Sequence, residues 1–140
     1  MNRIASIVFG LCLMLSMTTV SFANTQSFKH FSVDVPQGWE AAEDGEVVSI
    51  LAPGHVAAIS VAVDSAEGMT TENLAKTMAT QLKGSTPVAV DAGGYAFTFK
   101  SQNGVDSKST LFVNNNQYVM ITVTGSHPDV PKILQSIKDK

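Results

Sequence analysis

Arginine occurs once in this chain, at Arg3, and cysteine once, at Cys12. Both fall in a basic-then-apolar N-terminal segment, Met1 to Ala23, that has the build of an export signal. Arg3 gives the positive start, and Ile4 to Leu15 gives an apolar core broken only by Ser6 and Gly10. Ser21-Phe22-Ala23 then puts small residues at the two positions a signal peptidase reads. The predicted signal peptide is residues 1–23, and residues 24–140 are predicted to form a single domain placed in the periplasm or secreted. A spanning helix needs about 20 apolar residues. Here Ser16, Thr18, Thr19 and Ser21 make the second half of the segment polar, and no basic flank follows until Lys29. Cys12 follows Leu11, whereas lipid attachment wants a small residue before the cysteine. No stable membrane anchor is expected after cleavage.

Each scarcity excludes a class of chemistry. Without Cys12 the domain has no disulfide, no thiol nucleophile and no thiolate metal site, so packing alone must hold it. Arginine is the side chain suited to a two-pronged grip on phosphate. Arg3 is the single arginine among nine basic residues, which face twelve acids. An acidic, arginine-free domain excludes nucleic acid as the expected partner and argues against an anionic membrane surface. No internal repeat and no low-complexity run appears.

Periodicity supplies the fold class. Phe31, Val33 and Val35 alternate with His30, Ser32 and Asp34, as a half-buried strand does. Pro36-Gln37-Gly38 turns the chain before Trp39, and Glu40 to Glu46 reads as an acidic connection. Val47 to Ala52 and Val56 to Val63 are two further strands. The period then changes to 3.6: Leu74, Met78 and Leu82 make one helical stripe. Thr70 is the predicted cap, Met69 a staple residue, and Lys83-Gly84 the stop. Strands resume at Pro87 to Asp91, Tyr95 to Lys100, Val105 to Val113 and Gln117 to Thr124, with turns at Asn103-Gly104 and Asn114 to Asn116. Val130, Ile133, Leu134 and Ile137 describe a final helix capped by Asp129. These elements predict an α+β domain: a largely antiparallel sheet of six to seven strands, with two amphipathic helices packed on it.

Two segments also carry a family likeness. Phe31-Ser-Val-Asp-Val-Pro-Gln-Gly-Trp39 resembles the opening of PsbP-like domains, and Ile121-Thr-Val-Thr-Gly125 followed by the Ile133-Leu134…Ser136-Ile137 helix resembles their ending. The resemblance spans most of residues 28–138 and implies an α/β/α sandwich, a group that includes exported bacterial proteins. It also implies an accessory or binding role, as on a photosynthetic complex, and brings no catalytic machinery. Trp39 is the matched position of interest, with a structural role.

The search for chemistry returns no catalytic residue and no cofactor motif. There is no Gly-x-Ser-x-Gly elbow, Ser-x-x-Lys or Cys–His pair. His30, His55 and His127 are dispersed, with no metal-ligand spacing. Glu40, Glu43, Asp44 and Glu46 crowd carboxylates into one stretch, a weak calcium candidate that lacks an EF-hand's regular spacing. Tyr95, Phe97 and Phe99 share a face, which packs as core or lines an apolar pocket. The reading that follows is an exported, non-enzymatic accessory domain that engages an envelope protein or a small ligand. The alternatives are an enzyme with an unrecognised site, or a divalent-cation binder at Glu40–Glu46.

Overall fold

Alternation along Phe31–Val35 buries Phe31, Val33 and Val35 and leaves Ser32 and Asp34 half-buried, so this strand does have one core-facing side. The structure is a computed structural model describing residues 24–140. The expected signal segment lies outside those residues. In chain order the elements are β1 (Asn24–Ser27), β2 (Phe31–Val35), β3 (Glu40–Asp44), β4 (Val47–Leu51), β5 (Ala57–Ser65), α1 (Thr71–Gln81) and β6 (Val88–Ala89). They continue with β7 (Tyr95–Lys100), β8 (Asp106–Asn114), β9 (Gln117–Gly125), α2 (Val130–Gln135) and β10 (Lys138–Asp139). Seven strands form one antiparallel sheet in the order β3-β4-β5-β9-β8-β7-β6, and three form a second in the order β1-β2-β10.

The class is α+β, with two sheets where the sequence suggested one. Asn24–Ser27, a polar lead-in by composition, pairs with β2 in register Asn24 to Val35. The acidic connection is itself β3, paired with β4 from Glu40–Leu51 to Asp44–Val47. At the other end the expected helix is short. Ser136 Oγ donates to the Ile133 carbonyl and accepts from the Asp34 amide, which closes α2 and ties it to β2. Lys138 and Asp139 then pair with Ser32 and Phe31. Asp129 does not cap α2 with its side chain; its amide instead donates to His127 Nδ1 at 3.0 Å.

The first helix follows its sequence signals except at Leu82, expected in its apolar stripe, which comes after the helix has ended at Gln81 and is exposed. Thr70 Oγ1 accepts from the Asn73 amide, and Leu74, Ala75 and Ala79 are buried. The left-handed residue at its end is Lys83, not Gly84. Gly84 is needed for another reason: a Cβ there would lie 2.6 Å from the Thr98 carbonyl.

The seven-stranded sheet has a front and a back. On the front, Val48, Ile50, Ile59, Val61 and Val63 pack under β2 and α2. Register puts Val119, Ile121 and Val123 of β9, and Phe112, Thr110 and Lys108 of β8, on the same front face. On the back, α1 covers β7 and β8, with Leu74 and Ala75 against Leu111, Tyr95 and Met120. The two covers are therefore diagonal. β9 lies between them and stays only half-buried on both faces from Tyr118 to Gly125. No helix among the described residues is long and apolar enough to cross a membrane.

Candidate functional site

Where the cover on the front stops, a cleft opens between the small sheet and the β8–β9 hairpin. Its volume is about 410 Å³. Val61 and Val63 of β5, Val119 of β9 and Phe112 of β8 line its base, with Phe31 and Ile137 on the small-sheet side. The Phe112 ring packs on Gly94, where a Cβ would come within 2.4 Å of it. The polar rim is made by Lys29, His30, Asn115, Gln117, Asp139 and Lys140. Asn115 reaches the rim through the turn joining β8 to β9, in which Asn115 and Asn116 both have left-handed backbone (φ 53° and 58°), as a two-residue hairpin turn requires.

A charged cluster fixes one end of the rim. Lys29 Nζ donates to Glu46 Oε1 at 2.7 Å, and His30 Nε2 lies 3.0 Å from Glu46 Oε2. The Lys29 amide also donates to Glu43 Oε2, at 3.0 Å. Hydrogen bonding from Lys29, then from His30, holds the Glu46 carboxyl below its usual range, and the same contact with Glu46 raises the Lys29 ammonium. These bonds tie the β1–β2 layer to the β4 end of the large sheet. A depressed carboxylate stabilises the fold above its ordinary value, near 4.5 here, and loses that contribution as pH falls through its folded value. The raised lysine contributes below its ordinary value and is lost on the far alkaline side. Glu46→Gln is therefore expected to remove part of the acid-side fall in melting temperature, measured between neutral pH and about pH 3. An unchanged slope would show that Glu46 does not help hold the two layers together.

The sequence candidates are dispersed by the fold. Alternation along β3 sends Glu40 and Asp44 to one side and Glu43 to the other, while Glu46 is held by Lys29 and His30. Among the described residues, no three His, Cys, Asp or Glu side chains converge in a metal-binding group. His30 bonds to Glu46, His127 meets the Trp39 ring edge-on at 5.0 Å, and His55 is exposed in a short turn after β4. Trp39 is buried, 7% exposed. Of the aromatic face, Phe97 is buried and Tyr95 packs beside α1. Phe99 instead borders a larger depression, about 710 Å³, at the far end of the sheet. There Lys100 pairs with Asp106, and Ser107 with Thr124, so most of its polar groups already bind each other. The cleft went unseen in the sequence because its lining runs from position 29 to 140 and no local motif joins those residues.

No protein-family model and no curated protein matches the sequence. The solution structure of cyanobacterial PsbP (CyanoP) from Synechocystis sp. PCC 6803 superposes with a TM-score of 0.53 at 11% identity, covering 86% of this chain and 94% of that one. The chain has a PsbP-like fold. A crystal structure from Bacteroides thetaiotaomicron is also similar, with a TM-score of 0.45 and 15% identity over 79% of this chain and 45% of that one. The PsbP-like architecture agrees with the resemblance carried by the Phe31–Trp39 opening and the Ile121–Gly125 ending. At these identities the likeness concerns the fold, and the cleft is described from this chain's own residues.

Proposed function

We propose that this PsbP-like chain is an exported, non-enzymatic accessory domain that binds an envelope protein or a small ligand through the cleft. The observation that carries this reading is the cleft itself: an apolar base on the half-covered strand β9, with amide and ammonium groups gathered on one rim. Apolar concavities with a few converging polar groups are the usual form of binding sites. Export is supported by the character of Met1 to Ala23. The non-enzymatic part is supported by the sequence, which carries no nucleophile–base motif.

Immobilised protein should capture a defined component from its own envelope fraction or a small molecule from an extract. Val119→Lys, which places a charge on the half-buried cleft base, is expected to reduce capture about ten-fold or more. Circular dichroism would confirm that the variant folds. Equal capture by folded Val119→Lys would rule out the cleft as the binding site.

A further inference from the structure

We infer that the cleft takes a single-chain amphiphile with one negative charge, its chain across Val63, Val119 and Phe112 and its head group between Lys29 and Lys140. The inference rests on the reading of the cleft as a binding site and adds the chemistry of what enters it.

The base fixes the body of the ligand. Val63, Val119 and Phe112 are contributed by adjacent strands β5, β9 and β8, paired Val63 to Val119 and Val119 to Phe112. Adjacent strands lie about 4.8 Å apart, so the apolar row is about 10 Å long. That length accommodates a short alkyl chain laid across the three strands. The volume, about 410 Å³, is within the range of small-ligand pockets.

The rim fixes the sign of the head group. Lys29 uses one N–H on Glu46 and keeps two. Lys140 Nζ donates to the Phe28 carbonyl at 3.1 Å, which holds its ammonium over the rim with two donors left. Among the described residues Lys140 forms no ion pair. The opposing acids are Asp139 on the rim and, around Lys29, Glu46, which it shares with His30, Glu43, which accepts from its amide, and Asp64; Lys140 is the less opposed of the two ammonium groups. Asn115 and Gln117 offer further donors. Two ammonium groups gathered on an apolar cleft stand out in a chain whose net charge is −3. An anionic head would complete donors now open to water, whereas a cationic head would meet the lysines directly. With no arginine among the described residues, one compact charge is favoured over a large polyanion.

The test is calorimetric titration of the purified chain with decanoate, decanol and decylamine, each kept below its micelle concentration. Decanoate is expected to bind at least about ten-fold more tightly than decanol, and decylamine most weakly. Lys140→Gln breaks no ion pair and should weaken decanoate several-fold while leaving decanol within about two-fold. Lys29→Gln should act in the same direction, with its melting temperature measured alongside. Equal binding of decanoate and decanol, or an unchanged Lys140→Gln, would overturn the inference. So would binding confined to anionic phospholipid vesicles, since that would make the rim a headgroup patch instead of a ligand site. If no amphiphile binds while Val119→Lys still abolishes capture from the envelope fraction, the binding role survives and this ligand class does not. If capture is also insensitive to Val119→Lys, both fall together.

Discussion

Trp39→Ala is expected to lower unfolding free energy by about 3–5 kcal/mol, among the largest costs of any single side chain in the domain. The indole is 7% exposed and belongs to the same buried cluster as Val35, Ala52 and Val130. Its position is set from both directions. Gly38 takes φ +89°, a left-handed value that glycine adopts freely, and the Trp39 amide donates to the Pro36 carbonyl at 3.1 Å. A Cβ on Gly38 would lie 3.3 Å from Pro53 Cγ, so the turn is also pressed against the segment after β4. On its other side the indole receives the His127 ring at 79°, from the link between β9 and α2. One side chain thus joins the β2–β3 turn to the start of the last helix. Removing it leaves a cavity that neither side can collapse into without moving a strand. Denaturant unfolding at an unchanged slope would measure the cost, and Trp39→Phe should recover a large part of it. A shift under about 1 kcal/mol accompanied by loss of ligand or partner binding would make Trp39 a recognition residue instead.

The elements legible in the sequence are those in which side-chain pattern and backbone demand agree. α1 shows both: a core-facing stripe of Leu74, Ala75, Met78 and Ala79, and Thr70 with its side chain on the Asn73 amide. The hairpin at Asn114 to Asn116 is equally plain, because asparagine tolerates the left-handed backbone found at Asn115 and Asn116. What escaped notice is backbone pairing at sheet edges. β1 is Asn-Thr-Gln-Ser and nearly all exposed, so no hydrophobic alternation announces it. β3 is Glu-Ala-Ala-Glu-Asp, an outer strand whose acids keep the edge from pairing with other chains. The C-terminal pattern misled for a different reason. Ile137 does pack on the core as its spacing suggested, but after α2 has ended at Gln135, on the short link to β10. The cleft was least legible of all. Val63, Phe112 and Val119 are ordinary strand residues until register sets them side by side, and Lys29 and Lys140 meet only because β10 returns beside β2.

Gly125→Ala is expected to cost about 2–4 kcal/mol, from two effects that can be separated. Gly125 closes β9 opposite Ala57, within the strand ending that resembles PsbP-like domains. Its φ is +77°, a region where a Cβ costs roughly 1–2 kcal/mol through contact with its own backbone. The second effect is external. A Cβ at this position would lie 2.3 Å from the Val56 carbonyl oxygen and 3.1 Å from Ala57 Cα. Both are backbone atoms at the start of β5, the strand that supplies Ile59, Val61 and Val63 to the core, so they cannot yield as a flexible side-chain tip would. Gly104 provides the control. It has a similar φ, +79°, but nothing within 4 Å of its Cβ position. Gly104→Ala should therefore cost only the conformational part, about 1–2 kcal/mol. The excess of Gly125→Ala over Gly104→Ala, read from paired denaturant curves, then measures how tightly β9 is pressed on the β4–β5 link. If the two substitutions cost the same, that close approach is absent in solution and the end of β9 is free to shift. The half-covered strand beneath the cleft would then be anchored only through its pairing with β5 and β8.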